Sequence, residues 1–62
     1  MNKKAIRENH LLSLLSASRR MTTAEAVDAL GVSVATARRL FNEMEKKGLI
    51  VRNYGGIQLP GP

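Results

Sequence analysis

Residues 22–48, TTAEAVDALGVSVATARRLFNEMEKKG, decide how the chain folds. Thr22 followed three residues later by Glu25 is a capping box, in which hydroxyl and carboxylate satisfy orphan amides at a helix start. Ala26, Val27 and Leu30 then form one apolar face, and Gly31 stops the helix because glycine enters the left-handed region at little steric cost. Val32 is expected to fill the core inside the turn. Ser33 is a good N-cap for a second helix beginning at Val34. At about 100° per residue, Val34, Ala37, Leu40, Phe41 and Met44 fall on one side of that helix. Ala35, Arg39, Asn42 and Lys46 fall on the other, with Thr36 and Arg38 on the flanks. Lys46 and Lys47 suit the negative end of the helix dipole, and Gly48 closes the helix.

Outward from this stretch the pattern is simpler. A preceding helix is predicted from about Lys4 to Ser18, with Ile6, Leu11, Leu14 and Leu15 recurring at spacings of three to five and Leu12 widening the stripe. It gives way to the polar stretch Ser16 to Arg20. After Gly48, Leu49 to Val51 favour extended structure, Asn53 to Gly56 hold turn residues, and Ile57 to Leu59 resume the extended pattern. The expected fold is α+β and mainly α: a winged helix-turn-helix of three helices followed by a two-stranded β-hairpin wing. It occupies residues 1–59, and residues 60–62 read as the start of a linker or a terminal tail.

Composition bounds what such a domain can do. Of 62 residues, ten are Lys or Arg and five Asp or Glu, a net charge of +5 that favours a polyanionic partner. The hydrophobic share of 44% is too high for a disordered tail. There is no cysteine, so disulfides and thiolate metal sites are excluded, and no cofactor or metal is expected. No apolar run approaches the roughly 20 residues needed to span a bilayer. Lys3, Lys4 and Arg7 are not followed by the layout of a secretory signal, so a cytoplasmic protein is expected.

Two short helices around a glycine turn, the second capped and basic, form a helix-turn-helix. A helix fits the major groove of B-DNA, and its N-terminal half carries the side chains that reach base edges. The recognition helix is expected at about residues 33–47 and the wing at 49–59. Ser33 and Thr36, near the positive helix start, suit a phosphate contact, with Ala35 beside them on the outward face. Arg39 and Asn42 can each make paired hydrogen bonds to a base edge, Arg suiting guanine and Asn adenine. Arg38, on the flank, suits phosphate, and Lys46 extends the outward face. In the hairpin, Arg52 precedes a turn containing Gly55 and Gly56, whose missing side chains would let the backbone approach phosphate or the minor groove. Tyr54 suits either packing on the wing or the sugar-phosphate backbone. The bland readings are a helix cap for Ser33, a solvated face for the arginines and a tight turn for the glycine pair. The coincidence of turn glycine, cap, buried stripe and outward cations, in this order and spacing, favours double-stranded DNA as the partner.

The stretch from Ser33 through Thr36, Arg38, Arg39, Glu45, Gly48 and Arg52 to Gly55 and Gly56 resembles the N-terminal domain of DeoR-family bacterial transcriptional regulators. That family's pattern runs Ser, Thr, a paired Arg, Leu-Glu, Gly, a basic residue and Gly-Gly; Arg7 with Leu11, Leu12, Leu14 and Leu15 also fits its first helix. The likeness extends from about Arg7 to Leu59. The chain departs from the pattern at Ala37, Leu40 and Phe41, where the family usually has Ile, Asp and Leu, and at Ala26, where it usually has Leu. The missing Asp removes an acceptor that could orient a neighbouring Arg, and the pairing of Ala37 with Phe41 suggests a volume swap inside one core. The resemblance implies a repressor of a sugar-metabolism operon if the chain is part of a longer one with a C-terminal domain that binds a phosphorylated sugar. The alternative is a small stand-alone winged-helix regulator. The isolated domain is expected to be a monomer, with dimers or higher oligomers if a C-terminal domain is present.

Other functions fit less well. His10 is the sole histidine and has no paired acid in an evident motif, while Glu8, Glu25, Asp28, Glu43 and Glu45 read as capping and surface charge, so no enzyme activity is expected. A winged-helix module that docks on protein should expose apolar anchors where this helix presents Ala35, Arg39, Asn42 and Lys46. A reader of single-stranded RNA would need an aromatic stacking platform that the sequence lacks.

Overall fold

The computed structural model describes residues 2–61; Met1 and Pro62, the last residue of the expected tail, lie outside the described residues. Helix α1 spans Lys3–Ser18, strand β1 Arg20–Thr22, helix α2 Thr23–Leu30, helix α3 Val34–Lys46, strand β2 Val51–Asn53 and strand β3 Gly56–Gln58. The three helices and the hairpin make the winged helix-turn-helix expected from the sequence. Strand β1, not expected from the sequence, where Arg20 ends a polar stretch and Thr22 caps the next helix, joins the hairpin to give an antiparallel sheet ordered β1-β3-β2.

The local signals act as the chemistry requires. Asn2 caps α1, its Oδ1 accepting from the Lys4 amide at 2.9 Å. At α2 both halves of the capping box form: the Thr22 hydroxyl accepts from the Glu25 amide at 3.1 Å, and Glu25 Oε1 accepts from the Thr22 amide at 2.8 Å. Gly31, at φ 65°, ends α2. Helix α3 closes in a Schellman arrangement, the Gly48 amide donating to the Glu45 carbonyl at 3.0 Å and the Leu49 amide to the Met44 carbonyl at 2.9 Å.

The core draws on every layer: Leu11 and Leu15 from α1, Ala26 from α2, Ala37, Leu40, Phe41 and Met44 from α3, with Ile50 and Ile57 from the wing. Val32 packs against it from the turn, as expected, and Ala37 and Phe41 are both fully buried within it. Three residues assigned to the apolar stripes by periodicity lie outside the core: Leu14 is only half-buried at the edge of its stripe, and Ile6 and Val34 are exposed. Ile6 is 50% exposed, because the five residues separating it from Leu11 turn a helix by about 140° and carry it to the opposite face. Val34 is 47% exposed at the first position of α3, ahead of the stripe that begins with Ala37. The place Ile6 leaves is filled by Glu8, three residues before Leu11, which is buried rather than superficial; its carboxylate accepts from Lys47 Nζ at 3.0 and 3.2 Å. This pair joins the middle of α1 to the end of α3.

Candidate nucleic-acid interface

Helix α3 is amphipathic in the phase its sequence dictates. With Ala37, Leu40, Phe41 and Met44 buried, Ala35, Arg38, Arg39, Asn42 and Lys46 stand exposed and Thr36 is half-buried on the flank. Ser33 precedes the helix with extended backbone, and its hydroxyl accepts from the Thr36 amide at 3.1 Å while donating to Thr36 Oγ1 at 3.0 Å. The cap therefore engages the Ser33 hydroxyl, and its position is that of a helix start first. The Thr36 hydroxyl proton and the amides of Val34 and Ala35 are the donors left at the positive end of the dipole.

The first turns of α1 lie alongside α3. Lys4, Arg7, Thr36 and Arg39 line a shallow groove between the two helices, floored by Leu40 and bounded by Glu43. Sequence reading gave Arg7 no role beyond its place in the first helix, although its phase carried a signal: it stands four residues before Leu11, at the border of the core stripe. Glu43 pairs with Lys4, and that hydrogen bond, with the charges of Lys4, Lys47 and Lys46, holds its carboxyl below the usual glutamate value. Lys4 and Lys47 thus face carboxylates, while Arg38, Arg39 and Lys46 extend from α3 into solvent.

The wing turns at Tyr54 and Gly55, with Gly55 at φ 84°. Tyr54 is fully exposed at its tip, away from the core. The two glycines differ in kind. Gly55 is exposed, and its carbonyl accepts from the Thr23 amide at 3.1 Å, tying the turn to the start of α2. Gly56 is buried against β1, and a Cβ there would lie 2.1 Å from the Met21 carbonyl oxygen and 2.8 Å from Thr22 Cα. Its lack of a side chain serves the pairing of β3 with β1, so the surface of the turn belongs to Tyr54 and Gly55.

Arg52 does not extend from the wing tip. It pairs in register with Ile57, whose side chain is buried, so its own side chain leaves the sheet on the helix side. Its Cζ sits 5.8 Å from the centre of the Phe41 ring, and Nη1 donates to Asn42 Oδ1 at 2.8 Å. Two residues that the sequence reading kept apart, one in the wing and one in the helix, are joined. His10 is exposed on α1.

Comparison with known proteins identifies the family of the chain. The DeoR-like helix-turn-helix domain family matches residues 7–62. The chain is 41% identical over 59 residues to the lactose phosphotransferase system repressor of Lactococcus lactis subsp. lactis, an overlap that covers 95% of this chain and 23% of that protein. It thus spans less than a quarter of the relative's length. No solved structure matches it. With its fold, its basic outward helix and a family match over nearly its whole length, the chain belongs to the DeoR-like helix-turn-helix family of DNA-binding transcription regulators.

Proposed function

We propose that the domain recognises a specific sequence in double-stranded DNA, with α3 in the major groove and the turn at Tyr54 and Gly55 on the backbone or minor groove. The observation that carries this reading is the outward face of α3. All five of its outward residues are exposed, and in this reading Ala35 allows close approach, Arg39 and Asn42 meet base edges, and Arg38 and Lys46 meet phosphates. Thr36 and the amides of Val34 and Ala35 add anion contacts at the helix start, and Arg7 extends the basic surface along α1. No catalytic step is assigned to any residue. In a longer chain the domain would serve a cytoplasmic repressor of a sugar-metabolism operon, a reading supported by the name of the lactococcal relative.

An amide chemical-shift titration of the labelled domain with duplex DNA, at low and moderate salt, tests the docking mode. Shifts are expected to concentrate at Ser33 to Lys46 and at Arg52 to Gly56, and to fade as salt rises. Arg39→Ala is expected to cost roughly 1–3 kcal/mol on a selected site and to relax base preference there. Absence of shifts even at low salt would exclude DNA and direct the search to a protein partner for the same face.

A further inference from the structure

An asparagine amide has an acceptor end and a donor end, and which base it reads depends on which end meets the base edge. On an exposed helix face such an amide is free to turn over. Asn42 is not left in that condition. A guanidinium can only donate, so the 2.8 Å contact from Arg52 Nη1 requires Oδ1, not Nδ2, to face the wing. Arg52 is in turn held from two sides. Its strand is fixed by pairing with β3, opposite buried Ile57, and its guanidinium lies near the face of buried Phe41, the residue before Asn42.

From this geometry we infer that Arg52 is a positioning residue for base readout: it fixes the amide of Asn42, so the wing sets what the recognition helix reads at one base position. The inference rests on the proposed docking of α3 in the major groove and changes the part played by Arg52 within it. A cation that met only phosphate would add affinity on every sequence alike. One that orients Asn42 changes the preference among bases at a single position and leaves the position read by Arg39 intact. The two Asn42 N–H donors, turned away from the wing, then face the base edge in a fixed orientation.

The test is selection of duplexes with a randomised centre by the wild-type chain, by R52A, by N42A and by the double variant, followed by affinity for every single-base change in the selected site. R52M keeps an aliphatic stem over Phe41 without the donor, and guards against unfolding of the wing in R52A. R52A, R52M and N42A are each expected to flatten preference at the same base pair by about tenfold or more, with no further loss in the double variant. If R52A and R52M instead weaken all sequences equally while N42A flattens one position, Arg52 is a phosphate contact and the inference fails. If N42A flattens no position, Asn42 is not a reader and the inference fails with it. If the wild-type chain selects no sequence at all, the failure lies in the proposed function itself.

Discussion

Among single residues, Gly56 carries the sharpest structural demand. A Cβ there would collide with backbone atoms of Met21 and Thr22, which cannot rotate aside as a side chain tip could. Gly56→Ala is therefore expected to separate β1 from β3 and to destabilise the domain by roughly 1–3 kcal/mol or more, measured by urea unfolding. A change within a few tenths of a kcal/mol would mean that β1 pairing contributes little. The glycine pair was visible in the sequence, but its division of labour was not, because the second glycine answers to a strand some 35 positions earlier. Glu8 makes the same point from the opposite side. Its phase with Leu11 and Leu15 placed it on the buried stripe, yet a carboxylate reads as surface until Lys47, 39 positions away, is brought beside it. What was legible was whatever short-range chemistry determines: the cap at Ser33, the capping box and the stop at Gly31.

At the level of elements, the three helices and the outward face of α3 followed from periodicity because that helix repeats its apolar positions over several turns. Strand β1 escaped notice since Arg20, Met21 and Thr22 are too few to show alternation, and only Met21 turns toward the core. The ends of the predicted stripes failed for different reasons: the spacing of five from Leu11 already turns Ile6 away from the stripe, whereas Val34 is in phase but stands at the first position of its helix. Thr22 stands where two elements meet, closing β1 and capping α2. Thr22→Ala removes the hydroxyl that accepts from the Glu25 amide and is expected to cost about 1 kcal/mol. Thermal unfolding followed by circular dichroism checks this, and an unchanged midpoint would show that the cap is redundant with strand pairing. The joining of wing and helix through Arg52 and Asn42 was beyond sequence reading, since it depends on where the sheet sets β2 relative to α3.

For the whole molecule, a net charge of +5 on 62 residues makes ionic strength the decisive variable. With about five phosphates neutralised, affinity for duplex DNA is expected to fall roughly 10²–10³-fold between 50 and 200 mM salt, measured by fluorescence anisotropy. Binding indifferent to salt would remove the basic face of α3 from the interface. The exposed large hydrophobics Ile6, Val34, Val51 and Tyr54 stand on separate elements, and sedimentation of the isolated chain is expected to give a monomer. The contact between Gly55 and Thr23 bears on how this body opens. The Thr23 amide belongs to the first turn of α2, where an N–H has no acceptor within its own helix and ordinarily exchanges with solvent quickly. Here its acceptor is the wing's carbonyl, so its protection lasts only while the hairpin is closed. Deuterium uptake at that single amide therefore clocks the opening of a distant hairpin, and slower uptake on duplex binding would report directly that the wing has been clamped.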